Sequence, residues 1–184
     1  MRNQISIKFI GDALLGSKVF HTRKVIGDLK GIFKDEEKRK LISPETVVYE
    51  VDAYQPVVAG TEGGLFFGTT RIHPGVVGNE YFMTQGHFHA LADRSEFYWG
   101  IKGTGMLILM DRSRYVSIEK MEAGSLHYIP AHTAHRVANT GEEILSFGAC
   151  WPADAGYNYA EIKTKGFGGY LVNVDGIPKL ITNK

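Results

Sequence analysis

The chain has 184 residues, of which 43% are hydrophobic and 22% charged, and its formal net charge is +1. This is the composition of a soluble globular protein, and the near-neutral charge without a basic block argues against nucleic acid or an anionic membrane as a partner. A single cysteine excludes an internal disulfide, the N-terminus lacks the apolar core of a signal peptide, and no apolar run approaches the ~20 residues that span a bilayer. We therefore expect a cytoplasmic protein.

The first part of the chain predicts two short helices. Apolar residues recur at helical spacing across residues 25–33, with Thr22 available as a cap. The charged segment 35–42 predicts a second helix, which Ser43 and Pro44 end.

From Val47 onward the pattern is that of β-strands. In 47–54, apolar residues alternate with Glu50 and Asp52, which indicates a half-buried strand. Further strands are predicted at 65–73, 95–101, 104–110, 115–119, 125–129, 144–151 and 167–174, before a polar tail. The run 106–110 is apolar on both faces and should be central or lie at a subunit contact. Turns at roughly ten-residue spacing favour a sandwich or barrel over a βαβ protein.

Two histidines, His87 and His89, lie two residues apart. Side chains of a strand alternate between faces, so the two imidazoles point the same way and Phe88 points the other way. Two imidazoles on one face fill a core poorly and are a good start for a metal site. The candidates for a third histidine are His21, His73, His127, His132 and His135.

Two segments resemble the paired motifs of the cupin family. Segment 84–105 contains the His-x-His pair, Glu96 and a closing Gly103, and segment 124–139 contains Gly124, Pro130, His135 and Asn139 in the order of the second motif. The resemblance implies an all-β double-stranded β-helix, a jelly-roll cupin barrel with short N-terminal helices. It implies one domain over 1–184, with an N-terminal extension at about 1–45 and the barrel at about 46–175.

The same resemblance implies that one divalent metal is held by His87, His89, Glu96 and His135. Three imidazoles and one carboxylate leave two adjacent positions of an octahedral shell open, which suits Fe²⁺, our first expectation, or Mn²⁺, Ni²⁺ or Co²⁺ better than a closed tetrahedral Zn²⁺ site. Six residues separate His89 from Glu96, where three or four are usual in cupins. A period-two strand is still expected to return Glu96 to the inner face.

Residues outside the two motifs resemble the cupin-type glucose-6-phosphate isomerase family over about 20–175. The most specific segments are Gly-His-Phe-His at 86–89 and Pro-Ala-Asp-Ala-Gly at 152–156. This resemblance implies a homodimeric enzyme that interconverts glucose 6-phosphate and fructose 6-phosphate in glycolysis and gluconeogenesis.

The reaction assigns roles to the residues of the site. Glu96 is the one acid of the constellation and is expected to carry the proton between C1 and C2. Whether it stays on the metal, and whether the route is an enediol or a hydride shift, stay open. The resemblance implies that Thr70, Thr84 and the backbone of Gly86 hold the phosphate. Tyr98, on the same side of its strand as Glu96, is expected to offer a cavity hydroxyl, and Trp151 and Tyr159 complete the expected substrate contacts.

Four residues depart from the isomerase pattern and leave the exact sugar phosphate open. The family often has lysine at the position of Gln85, tyrosine at those of His132 and Trp151, and histidine at that of Tyr157. Two other functions also stay open: a metal-dependent dioxygenase of the cupin type, and a non-catalytic cupin that binds sugar phosphates.

Overall fold

A computed structural model describes residues 7–183 of the chain. Its elements in chain order are β1 (Lys8–Ile10), β2 (Ala13–Leu15), β3 (Val19–Val25), a 3₁₀ helix (Ile26–Leu29), α1 (Glu36–Lys40), β4 (Val47–Tyr54), β5 (Leu65–Ile72), β6 (Val76–Val77), β7 (Glu80–Tyr81), β8 (Glu96–Lys102), β9 (Thr104–Met110), β10 (Val116–Glu122), β11 (Leu126–Ile129), β12 (Ala134–Asn139), β13 (Leu145–Pro152), α2 (Tyr159–Lys165), β14 (Gly169–Val174) and β15 (Ile177–Thr182). Among these residues, neither helix has the length and apolar character that crossing a membrane would require.

Two antiparallel sheets enclose the core and confirm the predicted all-β cupin barrel. One has the strand order β11-β8-β13-β5-β4-β3, and the other has the order β10-β9-β12. Alternate residues of both sheets point inward and form one apolar cluster, which includes Phe66, Ile72, Leu107, Val137 and Phe147. The inner faces that form the core also supply the walls of a cavity, as described below.

The helix predicted from Thr22 is wrong. Residues Val19–Val25 form β3 and pair with β4 along its length, from Val19 opposite Tyr54 to Arg23 opposite Glu50. Only Ile26–Leu29 forms a 3₁₀ turn, in which Ile26 and Leu29 are fully buried. Pairing with β4 satisfies the backbone of β3, and the two glycines of the region weaken the competing helix. The second predicted helix is confirmed as α1.

The C-terminal region contains two elements that the sequence analysis missed. Residues 159–165 form α2, and residues of the supposed polar tail form β15, which pairs with β14. This region covers the outer face of the three-stranded sheet, where Arg136 stacks on Phe167 at 4.3 Å and donates to the Gly169 carbonyl at 2.9 Å. The run 106–110 is apolar on both faces because it lies in the central strand β9 and its outer face is covered by the chain itself.

The outer face of β4 contains a buried carboxylate rather than a solvated one. Asp52 is 2% exposed and accepts hydrogen bonds from Arg71 Nη1 at 2.6 Å and from the backbone N–H of Leu14 at 3.3 Å. His21 Nδ1 lies 2.8 Å from its other oxygen. The β1–β2 hairpin thus covers a position that strand alternation alone predicts to face solvent.

Candidate metal centre and active-site cavity

A backbone bridge holds two of the expected metal ligands opposite each other. The N–H of His87 donates to the carbonyl of His135 at 3.3 Å, and the N–H of His135 donates to the carbonyl of His87 at 3.1 Å. His89 follows on the same face as His87, and Glu96 begins β8 on the inner face of the larger sheet. One ligand atom from each of these four residues lies within 4.8 Å of all the others.

The long connection between His89 and Glu96 is fixed by contacts to the segment after β13. Arg94 forms a bidentate pair with Asp154, with Nε–Oδ1 and Nη2–Oδ2 distances of 3.0 and 2.7 Å. The N–H of Leu91 donates to the carbonyl of Ala155 at 2.9 Å. These contacts close the longer turn, and Glu96 returns to the inner face with only 5% exposure.

Neighbouring carbonyl groups fix which ring nitrogen is free to bind a metal in two of the three histidines, His89 and His135. His89 Nδ1 lies 2.9 Å from the carbonyl oxygen of Arg94, and His135 Nδ1 lies 3.3 Å from that of Thr133. Because a carbonyl only accepts, each Nδ1 bears the hydrogen, and Nε2 of the neutral ring has the lone pair that binds a metal.

The buried donor atoms fit a divalent cation. Within residues 7–183, the Nε2 atoms of His87, His89 and His135 and Oε1 of Glu96 are buried without a hydrogen-bond partner. Glu96 Oε1 lies 3.2 Å from His89 Nε2, yet the two do not form a hydrogen bond. Buried polar atoms normally have a hydrogen-bond partner. Four atoms with lone pairs and no such partner in one cluster therefore indicate a metal ion, which accepts electron pairs.

The ionisation of the cluster agrees with that interpretation. Burial raises the pKa of Glu96, but the adjacent rings of His135 and His89 outweigh burial and lower it, so the carboxylate is ionised. Burial, reinforced by His135, lowers the pKa of His87 well below its ordinary value. Burial also lowers the pKa of His89, but Glu96 more than compensates and raises it. The lowered pKa of His87 and the ionised carboxylate of Glu96 favour metal binding, whereas a metal would have to displace a proton from His89, whose pKa is raised.

A cavity of about 300 Å³ opens beside this cluster, between the inner faces of the sheets. That volume is at the lower end of the range of small-molecule sites. All the residues that we expected to contact a substrate line it: Thr70, Thr84, Gly86, Tyr98, Trp151 and Tyr159. Gln85 and Tyr157 line it too, whereas His132 does not appear among the lining residues.

Tyrosines beside the cluster offer protonated hydroxyls. Burial, reinforced by the charge of Glu96, raises the pKa of Tyr98 well above its ordinary value. Burial also raises the pKa of Tyr157 to about 12. The Tyr157 ring stacks on that of Tyr159 at 5.6 Å and meets the edge of His87 at 4.8 Å. Each phenol can therefore donate a hydrogen bond into the cavity at neutral pH.

Two threonines, Thr84 and Thr70, and the glycine Gly86 form the expected phosphate end of the cavity. Thr84 Oγ1 accepts from the N–H of Val137 at 3.1 Å, and Thr70 faces the cavity from β5. Gly86 has φ +76°, and a Cβ there would lie 2.7 Å from Phe167 Cε2. Only glycine fits both the backbone conformation and the space, so the Gly86 backbone forms the cavity wall at this point.

Three further lining residues were missed because no strand was predicted in their segment and a helix was predicted from Thr22. Phe20, Thr22 and Lys24 project inward from β3 at alternate positions. Their period-two spacing was the available signal, but the helical spacing of the residues that follow overrode it.

The remaining histidines lie apart from the metal cluster. His127 is 4% exposed and sits between Glu119 Oε2 at 2.7 Å and Ser125 Oγ at 2.9 Å, away from the cavity. His73 Nε2 lies 3.5 Å from Glu50 Oε2, and His21 contacts Asp52 on the outer face. His135 is therefore the histidine that the structure brings to the His87–His89 pair.

Comparison with known proteins identifies the family of this chain. A sequence model of the family described as Glucose-6-phosphate isomerase (GPI) matches residues 23–180. The glucose-6-phosphate isomerase of Thermococcus kodakarensis is 45% identical over 159 residues, which cover 86% of this chain and 83% of that protein. The enzyme of the same name from Pyrococcus horikoshii is 40% identical over 181 residues, or 97% and 94% of the two chains. Among solved structures, oxalate decarboxylase from Bacillus subtilis matches 60% of this chain and 26% of its own, with a TM-score of 0.47 and 20% identity. The chain is thus an isomerase that belongs to the glucose-6-phosphate isomerase family.

Proposed function

We propose that this protein is a metal-dependent aldose–ketose isomerase that interconverts glucose 6-phosphate and fructose 6-phosphate in cytoplasmic glycolysis and gluconeogenesis. The observation that supports it most is the convergence of His87, His89, Glu96 and His135 beside a cavity of about 300 Å³. Family membership narrows the reaction class, and the cavity supplies hydroxyls and a backbone wall for a phosphorylated sugar.

The four converging residues would hold one divalent cation, for which we propose Fe²⁺ first and Mn²⁺, Ni²⁺, Co²⁺ or Zn²⁺ as other occupants. When bound, such an ion would polarise the oxygens at C1 and C2 and stabilise negative charge as it develops there. The lowered pKa of His87 and the ionised carboxylate of Glu96 favour metal binding, and a bound metal would displace the proton that the raised pKa of His89 favours.

Glu96 would move the proton between C1 and C2. It lines the cavity, and its carboxylate is ionised because the adjacent histidines lower its pKa. Tyr98, protonated at neutral pH, also lines the cavity and can donate a hydrogen bond to a sugar oxygen. Burial of both side chains keeps water away from the reacting carbons.

The phosphate would be bound at Thr70, Thr84 and the Gly86 backbone. Hydroxyls and amide N–H groups are suitable donors to phosphate oxygens. Trp151 and Tyr159, which also line the cavity, would contact the sugar chain. Trp151 can donate one hydrogen bond but cannot accept one, so it constrains the orientation of the sugar hydroxyl that it meets.

A coupled assay with purified protein tests the proposal. After loading with Fe²⁺ and elemental analysis, we expect fructose 6-phosphate to form from glucose 6-phosphate at equal rates with and without oxygen. A chelator should abolish turnover. No product from the metal-loaded protein would refute the isomerase proposal. Oxygen consumption would favour the dioxygenase, and binding of glucose 6-phosphate without turnover would favour a non-catalytic cupin.

We also propose that the chain is a single cupin domain that forms a homodimer. The outer face of the six-stranded sheet exposes Phe97, Leu126 and Tyr128 by 46%, 69% and 51%. A cluster of exposed large apolar side chains is typical of an interaction surface. Light scattering should give twice the mass of one chain, and a monomer at micromolar concentration would contradict the dimer.

A further inference from the structure

Lys24 lies on the inner face of the edge strand β3. It is half-buried and lines the cavity together with Thr22, two residues earlier on the same face. The pairing of β3 with β4 shifts register between Lys24 and Val25, and such an irregularity re-aims the side chains around it. Lys24 therefore presents its side chain to the cavity rather than to the surface of the sheet.

The register of the sheet brings Lys24 close to the expected phosphate end. Lys24 pairs directly with Tyr49 of β4. Tyr49 lines the same cavity as Lys24, together with Thr84, Gln85 and Gly86. Directly opposed residues of an antiparallel pair lie close together, so Lys24 lies beside a residue that shares the cavity with the 84–86 segment.

The cavity is lined by one basic and one acidic side chain of the described residues. Among residues 7–183, Lys24 is the only lysine or arginine lining the cavity, and it forms no ion pair with a described residue. Glu96 is the only acidic residue that lines the cavity in this part of the chain, and it lies among the histidines. A half-buried ammonium group without a counter-ion on the protein favours an anionic ligand.

We propose that Lys24 supplies the positive charge of the phosphate subsite and makes the enzyme selective for phosphorylated over unphosphorylated sugars. Threonine hydroxyls and backbone N–H groups orient a phosphate dianion through hydrogen bonds, but they compensate its charge only in part. Lys24 provides a full charge, and the hydroxyl of Thr22 adds a donor on the same face. The sugar part of this inference rests on the proposed isomerase function, whereas the anion site does not.

The test compares three variants with the wild-type protein. Lys24→Met removes the charge and keeps most of the apolar stem, and Lys24→Arg restores a cation. Arg23→Met is the matched control, because Arg23 is the adjacent cation on the same strand, exposed on the opposite face. Calorimetry would measure the binding of inorganic phosphate and of glucose 6-phosphate to the metal-loaded proteins, and a coupled assay would give KM and kcat.

We expect Lys24→Met to weaken binding of both ligands and to raise KM by about 10- to 100-fold, the range for losing one charge-assisted hydrogen bond, with kcat nearly unchanged. Lys24→Arg should recover most of the affinity, and Arg23→Met should resemble the wild type. Equal phosphate affinity in wild type and Lys24→Met, or no phosphate binding by the wild type at millimolar concentration, would overturn the inference.

The outcomes also separate this inference from the proposed function. Lys24-dependent phosphate binding without isomerase activity would support the anion site and refute the isomerase. Isomerase activity with an unchanged KM in Lys24→Met would support the isomerase and refute the anion site.

Discussion

Replacing Glu96 with glutamine should remove turnover while leaving substrate binding largely intact. Oε1 of Glu96 lies 3.2 Å from His89 Nε2, and the residue is the only acid that lines the cavity within residues 7–183. No other described carboxylate can replace it as the proton carrier. Loss of a general base typically costs about 10²–10⁴-fold in rate, so we expect kcat to fall by that factor, or by about 3–5 kcal/mol in activation free energy.

The assay must separate the proton-transfer role of Glu96 from its role as a ligand. Three histidines remain in Glu96→Gln, so metal content should be measured and kcat expressed per bound metal. KM should change by less than about threefold, since the phosphate end is unaltered. Reaction of the wild type in D₂O should place deuterium on the sugar if Glu96 exchanges its proton with solvent, whereas a hydride shift would leave the sugar unlabelled.

The control for this variant is another carboxylate that contacts a histidine. Glu119 lies 2.7 Å from His127 Nδ1 on a part of the barrel that does not line the cavity. Glu119→Gln should keep wild-type kcat. If metal-loaded Glu96→Gln retained more than about a tenth of wild-type kcat, the effect would be smaller than general-base loss predicts, and the role of Glu96 would be refuted.

Three further outcomes follow from the structure. The side-chain amide of Asn139 is fully buried, donates to the Ile72 and Glu143 carbonyls at 2.8 Å each and accepts from the Gly141 N–H at 2.9 Å. The Asn139→Ala variant loses these bonds and should lower the unfolding free energy by about 2–4 kcal/mol and Tm by roughly 5–15 °C. Removing metal by chelation should lower Tm by several degrees and adding metal should restore it in a concentration-dependent way, since the ion binds only the folded cluster; a Tm indifferent to metal would contradict a bound ion. Burial raises the pKa of Asp52, but hydrogen bonds from Arg71 and His21 lower it overall from 3.8, so its carboxylate stabilises the fold above that pH and the contribution is lost as pH falls through the lowered pKa. Asp52→Asn should therefore destabilise the protein at pH 7, and denaturant titrations should show the difference shrinking in strong acid.

The local sequence pattern predicted correctly those elements whose signals lie within a single strand. The strand 47–54 and the strand 104–110 have the predicted bounds, because alternation and flanking turns define each of them. His87 and His89 share a face for the same reason. Strand alternation does not identify their partner His135, which a backbone bridge between distant segments brings to them; it was selected through the resemblance to the second cupin motif.

The errors occurred where contacts between distant segments outweighed the local pattern. Strand β3 gains its hydrogen bonds from β4, and this pairing overrides the helical spacing that follows Thr22. That single error hid the cavity role of Lys24. Strand β15 has intermediate and exposed residues and little apolar pattern of its own, and it forms because β14 offers a pairing edge.

Three of the four residues that depart from the expected pattern, His132, Trp151 and Tyr157, are connected to the long turn before Glu96. The long turn before Glu96 departs from common cupin spacing, and its Ala92 carbonyl accepts from the N–H of His132. Arg94 in the same turn holds both His89, through its carbonyl, and Asp154, through its guanidinium. Asp154 lies in the sequence between Trp151 and Tyr157, which both line the cavity. A single structural unit therefore links a metal ligand to the wall that would face the sugar. His132 does not line the cavity but is bonded to the same turn, so exchanging residues 132, 151 and 157 for those that the family often has should be done together rather than singly.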